Sequence, residues 1–357
     1  MEQGSLLNNR SRVSGIRWLQ GWIIFSLYLS ITLTFGALAS AQEPFYKGKT
    51  VRIVVGFAPG GGFDTYSRVL ARHMGRHIPG GPTIIVDNMP GAASLVSANH
   101  VYKVAKPDGL TIGHFIGGLF LQQLLQKPGV EFDSRKFEFI GAPVRDHPAC
   151  AFTKASGITS MEKWTASKTP VKLGGTGAGS NTDDIPKVLK EALGLPLQLI
   201  TGYKGTSAVR LAADSGELAG GCWGWDSIRA TWRSAIESGD AVVVLQTTPE
   251  PAPDLAKIPL AINFAKTDDA RQLIRVGIHN VSAVIRPYVL PPATPKERVQ
   301  ILQKSFLETM KDPEFLADAK KSKLDVEPLA GGQLGKMVGE LFKLKPGLVT
   351  KLKEILQ

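Results

Sequence analysis

VRIVVGFAPGGGFDTYSRVLARHM, residues 51–74, is the stretch that decides the fold. Val51, Ile53, Val55 and Phe57 read as a buried strand, and Tyr66, Val69, Leu70, Met74 and Ile78 recur at helical spacing. Between them stand Pro59, Gly60, Gly61 and Gly62, with Asp64 close behind. Glycines at the end of a strand let the chain turn sharply and let another group approach the backbone. The first amides of the following helix have no partner inside it, and its dipole favours a negative charge there. One reading is therefore a pocket for an anion. The other is a tight turn in which Asp64 only caps free amides. Neither phosphate motif is present: no Lys-Ser/Thr pair follows the glycines, and the spacing is not that of a dinucleotide fingerprint.

The pattern occurs twice. PVKLGGTGAGSNTDDIPKVLKEALGL, residues 170–195 or so, again runs from an apolar strand through Gly174, Gly175, Gly177 and Gly179 into a helix opened by acids. Ser180, Asn181, Thr182 and Asp183 are capping types, Pro186 suits a first helical turn, and Val188, Leu189, Ala192 and Leu193 supply the buried face. Further strands and helices alternate after each copy, in TIIVDNMPGAAS and GLTIGHF after the first and in LQLITGYKGTSA and ELAGGCWGW after the second. Alternation of this kind predicts α/β architecture, with parallel sheets flanked by helices. Ligands of such sheets bind beyond the carboxyl ends of the strands, so two lobes would present their glycine loops to one ligand across a cleft.

Composition narrows the class. Of 357 residues, 43% are hydrophobic and 20% charged, a well-packed globular balance long enough for two domains. The formal charge of +11 is scattered, with no basic run interleaved with aromatics, which argues against nucleic acid and for attraction of small anions or anionic surfaces. Arg10, Arg12 and Arg17 precede the apolar run WIIFSLYLSITLTFGALA, and Ala39-Ser40-Ala41 offers a small-residue cleavage site. Residues 1–41 therefore read as a signal peptide of an exported protein, an uncleaved anchor being the alternative. Cys150 and Cys222 are the two cysteines; one pair makes no disulfide framework, and free buried thiols are the first reading.

Four segments carry a resemblance. APGGGFDTYSR, VDNMPGAAS followed by KPDGLTI, GYKGT at 202–206, and LPPATPKERVQIL stand in the order and spacing of the periplasmic receptors of tripartite tricarboxylate transporters, also called Bug or TctC-type solute-binding proteins. The likeness runs from about Tyr46 to near the C-terminus. It implies a two-lobed type II periplasmic binding protein, each lobe a mainly parallel sheet flanked by helices, closing on a small carboxylate. It implies delivery of that carboxylate to the large and small subunits of a membrane transporter, with no cofactor and no metal. In the family the carboxylate is held largely by main-chain amides and ordered waters of the two loops. The binding positions this implies are Phe57, Ala58, Pro59, Gly60, Gly61, Gly62 and Asp64; Thr176, Gly177, Ala178, Ser180, Asn181 and Thr182; and the turn Tyr203, Lys204, Gly205. The chain departs from the family pattern at Met89, where Arg is frequent, and at GGCWGWD, in place of a segment ending in Asp-Asn. Trp223 and Trp225, with His114 and Phe115 opposite, are expected to grip an aromatic or otherwise apolar carboxylate, packing of either Trp in the lobe core being the alternative. The expected divisions are 42–144 for lobe 1, 145–276 for lobe 2, and 277–357 for the return to lobe 1 and the C-terminal helices, in a monomer located in the periplasm. The type II fold also sets the Cys150 and Cys222 strands side by side, which makes a bridge the alternative to free thiols.

Enzyme readings are weak. His73 and His77 lie four apart, but no zincin Glu sits between them, and with Arg68, Arg72 and Arg76 they read as a solvated basic face. Ser160-Met-Glu-Lys163 mimics a nucleophile pair without its partner motifs, and no Gly-x-Ser-x-Gly elbow is present. A hydrolase is thus the lesser alternative, and a ligand-sensing module for a signalling partner would use the same fold and site.

Overall fold

In the computed structural model, which describes residues 43–356, the two glycine loops belong to two different sheets. The signal-peptide reading, residues 1–41, lies outside the described residues. The first sheet has six strands in the order β11-β4-β10-β3-β1-β2, and the second has five in the order β7-β6-β8-β5-β9. The strands span Thr50–Val55 (β1), Thr83–Asn88 (β2), Thr111–His114 (β3), Glu138–Ala142 (β4), Pro148–Thr153 (β5), Val171–Gly174 (β6), Leu197–Ile200 (β7), Gly220–Gly224 (β8), Ala241–Gln246 (β9), Tyr288–Leu290 (β10) and Leu329–Ala330 (β11).

Each loop-bearing strand pairs in parallel with its neighbours. β1 runs parallel to β2 and β3, and β6 parallel to β7 and β8. Parallel neighbours demand crossover helices that cover the sheet faces, which is why Val51, Ile53, Val54 and Val55 of β1 are all buried. The helix after the first loop, Gly62–Met74, turns Tyr66, Val69, Leu70 and Met74 inward. The helix after the second, Asn181–Leu193, buries Ile185, Val188 and Leu189, and Pro186 falls inside it rather than in its first turn. Both sheets are mixed, because the strands next to the places where the chain changes sheet run against the rest. β5 is antiparallel to β8 and β9, and β10 is antiparallel to β3 and β4.

The chain passes from the first sheet to the second between Ala142 and Pro148 and is back in the first at Tyr288. The helices Lys296–Thr309, Pro313–Lys321 and Gly331–Leu341 then pack against the first sheet and its helix. The last helix, Pro346–Leu356, packs on Asn181–Leu193 instead, where Lys187 Nζ donates to the Leu356 carbonyl at 3.1 Å. The C-terminal stretch therefore serves both sheets.

Two sequence readings are corrected here. The first-reading free thiols are joined: antiparallel pairing sets Cys150 opposite Cys222, and a disulfide links them across 72 residues. The basic face of the first helix is not simply solvated. Arg72 and His73 each meet Asp318 at 2.9 Å, and His77 Nε2 meets Asp312 at 2.7 Å, so the cationic row docks the Pro313–Lys321 helix. Among the described residues no group of His, Cys, Asp and Glu is placed to hold a metal ion. Ser160 is a helix cap, its hydroxyl accepting from the Lys163 amide at 3.3 Å. Among the described residues no helix is long and apolar enough to cross a membrane.

Candidate functional site

The acids that open each helix reach back and tie down their own glycine loop. Asp64 accepts from the Gly60 amide at 2.9 Å and is held by Arg68 and Asn88. Those donors outweigh burial and keep its carboxyl below the usual range. In the second loop Asp183 accepts from the Gly177 amide at 2.7 Å, and Asp184 accepts from the Gly179 amide at 3.0 Å. Neither Asp64 nor Asp183 lines the cavity that both loops border. The amides of Gly60, Gly177 and Gly179 are thereby occupied. In the first helix the i to i−4 ladder begins with Thr65 donating to the Gly61 carbonyl, so Gly62 and Phe63 precede it.

These helix starts surround one cavity. It encloses about 440 Å³ of space not filled by atoms, part of it continuous with solvent. Gly61, Gly62 and Phe63 line it from the first loop and Thr176, Ser180, Asn181 and Thr182 from the second. Thr206, Trp223, Gly224 and Ser227 close it on the second sheet's side, and Phe57, Ile116 and Ile285 supply apolar wall.

The remaining walls are charged. Arg286, 2% exposed, donates from Nη2 to Asp146 at 3.3 Å and to Asp226 at 3.4 Å. Its Nε and Nη1 have no partner, and Ser227 Oγ and Trp223 Nε1 are likewise buried without one. The guanidinium carbon lies 4.9 Å from the centre of the Phe63 ring and 5.1 Å from that of Tyr66. Asp146 also accepts from Asn181 Nδ2 at 2.9 Å. Burial pushes the Asp146 carboxyl up to about 7, against the pull of Arg286. Burial opposes the Arg286 charge, but Asp146 and Asp226 outweigh it and hold that guanidinium firmly protonated. The two charged partners come from the two segments on which the chain changes sheet, so the ion pair sits at the crossing.

The arrangement sorts the residues expected at the site. Phe57, Gly61, Gly62, Thr176, Ser180, Asn181, Thr182 and Trp223 line the cavity, whereas Ala58, Pro59, Gly60, Gly177 and Ala178 do not. The Ala58 amide instead donates to the Lys204 carbonyl at 3.1 Å, and Ser207 Oγ to the Pro59 carbonyl at 3.3 Å, so the first loop touches the Tyr203-Lys204-Gly205 turn directly. Tyr203 and Lys204 border a separate hollow with Pro90 to Ser94, and the Tyr203 hydroxyl is taken by Glu217. Ser180 Oγ is engaged with the Gly177 carbonyl at 2.6 Å, and Thr182 Oγ1 accepts from the Thr176 amide at 3.0 Å.

Of the four aromatic residues expected to grip the ligand, Trp223 alone lines the cavity. Trp225 turns away, its Nε1 donating to Asp254 at 2.9 Å. Phe115 is fully buried against Phe120, Phe132 and Phe137. His114 stacks on Tyr288 at 4.0 Å with Nδ1 against Ser67 Oγ at 2.8 Å; burial, reinforced by the Arg286 charge, holds it neutral. Trp223 stacks on Trp232 with ring centres 5.8 Å apart and lines the cavity. The residue missed from the sequence is Arg286, a single cation in the run NVSAVIRPYVL.

No family model matches the chain. It is 29% identical over 194 residues to a UPF0065 protein from the TAR-I ttuE-ttuC' intergenic region of Agrobacterium vitis, covering 50% of this chain and 53% of that one. It is 26% identical over 190 residues to a UPF0065 protein of Bordetella pertussis, covering 51% and 56%. The chain thus spans about half the length of the curated relatives it matches. Among solved structures, the periplasmic binding protein BugD superposes with a TM-score of 0.64 at 23% identity, over 87% of this chain and 97% of that one. MatC from Rhodopseudomonas palustris with bound malate gives 0.67 at 18%, over 87% and 99%. A further R. palustris protein, with adipate, gives 0.70 at 18%, over 86% and 98%. The chain has the two-lobed periplasmic binding protein fold that BugD and the TctC-type receptors share.

Proposed function

We propose that the protein is an extracytoplasmic solute-binding receptor of the Bug/TctC type, which captures a small carboxylate between its two lobes. One observation carries this reading: helix N-termini from two different sheets line the same cavity, which also contains a buried guanidinium with unpartnered donors. Amide donors and a fixed cation attract an anion without needing to reorganise. The malate and adipate held by two neighbours of this fold support a carboxylate as that anion. The lobes are proposed as residues 42–144 and 145–276, with 277–357 returning to the first, and residues 1–41 as the exported chain's leader. Delivery to the large and small subunits of a tripartite tricarboxylate-type transporter completes the proposal.

Calorimetric titration of mono-, di- and aromatic carboxylates into the protein lacking residues 1–41 tests it. One-to-one binding with the ligand recovered unchanged is expected. Turnover of a bound compound, or binding confined to compounds without a carboxylate, would overturn the reading.

A further inference from the structure

Resting on that receptor reading, we propose that Arg286 is the charge anchor of the cavity and that the ligand is a compact monocarboxylate with an apolar body. Arg286 carries five N–H donors, and its only acceptors, the two aspartates, are reached at 3.3 and 3.4 Å from Nη2 alone. The one donor on Nε and the two on Nη1 are left unpaired on a side chain 2% exposed. A buried cation with unsatisfied donors is costly unless a partner arrives, and a ligand carboxylate is the partner whose charge and lone pairs fit. The cavity reaches Arg286 beside Gly62, where the chain packs closely and has no side chain to intrude on the Nη1 side. A Cβ built on Gly62 would lie 3.3 Å from Nη1 and only 2.4 Å from Ser227 Oγ. Ser227 Oγ and Trp223 Nε1 stand on the same cavity wall as further free donors.

The same census sets the specificity. Arg286 is the one cationic residue in the cavity lining, and Asp146 is the other ionisable one. A carboxylate docked on Arg286 would therefore place its remaining atoms among Phe57, Phe63, Ile116, Trp223 and Ile285. A second carboxylate on the ligand would meet those apolar walls, Asp146, or the hydroxyls and helix starts at Thr176, Ser180, Thr182 and Thr206, with no second cation to offset its desolvation. Malate and adipate, which each carry two, are thus disfavoured here, although proteins of the same fold hold them. A cavity of about 440 Å³, part of it open to solvent, argues for a short ligand.

The test is isothermal titration at one pH with butyrate and benzoate as monocarboxylates and succinate, malate and adipate as dicarboxylates, on the wild type and on Arg286→Gln and Arg286→Lys. Butyrate is expected to bind at least about tenfold tighter than succinate. Arg286→Gln is expected to weaken butyrate at least about 30-fold, and Arg286→Lys to restore part of that loss. Succinate binding as tightly as butyrate, or Arg286→Gln binding butyrate like the wild type, overturns the inference while the receptor reading stands. If no carboxylate of either kind binds, the receptor reading itself falls, and this inference with it. Should circular dichroism show Arg286→Gln unfolded, the wild-type butyrate to succinate ratio decides alone.

Discussion

Asp184 offers a quantitative handle on the second glycine loop. Its carboxylate accepts from the Gly179 amide at 3.0 and 3.1 Å and from Gln122 Nε2 at 3.1 Å, and it is only 3% exposed. Burial outweighs those hydrogen bonds and pushes its pKa from 3.8 up to about 7. A carboxyl whose pKa is raised in the folded state stabilises the fold fully below the unfolded value and loses that contribution as pH rises through the folded one. Between pH 5 and pH 7 the unfolded chain has released this proton while the folded chain keeps it. Those two units, at roughly 1.4 kcal/mol each, amount to about 3 kcal/mol of stability lost by pH 8. Asp184→Asn keeps an acceptor for the Gly179 amide but cannot ionise. Urea denaturation of both proteins at pH 5 and pH 8 should show the variant gaining about 3 kcal/mol on the wild type between the two conditions. If the two proteins lose stability in parallel across that range, Asp184 does not titrate there and the reasoning fails.

Three further outcomes are expected. Reducing the Cys150–Cys222 bridge, which spans 72 residues, should cost about 4 kcal/mol by loop entropy, seen as an earlier urea midpoint; an unchanged midpoint contradicts it. Gly62→Ala should push directly against Ser227, which packs beside it on the cavity wall, and weaken carboxylate binding at least about tenfold, with native far-ultraviolet dichroism retained; unchanged affinity would mean that the ligand sits elsewhere. Carboxylate binding should take up protons near pH 7 through Asp146, which faces Arg286 and Asp226, with Tyr66 and His114 the next groups around that guanidinium. An anion added beside two aspartates favours the protonated form, so affinity should fall as pH rises from 6 to 8.5; titrations in buffers of different ionisation enthalpy measure the protons directly, and zero uptake refutes it.

Local signals carried much of this molecule. The apolar strand, the glycines and the helical repeat after Phe63 are contiguous in sequence, so β1 and its helix could be read, and the copy at 171–193 followed by the same rule. Residues that need long-range information were harder. His114 and Phe115 are adjacent at a strand end, where neighbours point to opposite faces, so they could not both face the cleft; in the event neither lines it. Trp223 and Trp225 straddle the step from β8 into a short helix, which sends one to the cavity and the other to Asp254. Arg286 became visible only when the fold carried it next to Asp146, 140 residues earlier in the chain. An uncompensated Arg between Ile285 and Pro287 was the available clue, because an apolar run seldom buries a cation without a use for it. The bridge was undecidable from two cysteines alone, since pairing depends on the register of β5 against β8.

The proposed receptor binds a carboxylate between its lobes, at the helix starts and Arg286. A crystal structure of the protein with butyrate or benzoate tests this most directly. The predicted result is one carboxylate within hydrogen-bonding distance of Arg286 Nε or Nη1, beside Gly62 and Ser227, with the ligand's apolar part against Trp223 and Phe57. A carboxylate found in the hollow beside Lys204, or in the groove beside Arg275 and His279, with the Arg286 donors left unengaged, would contradict it.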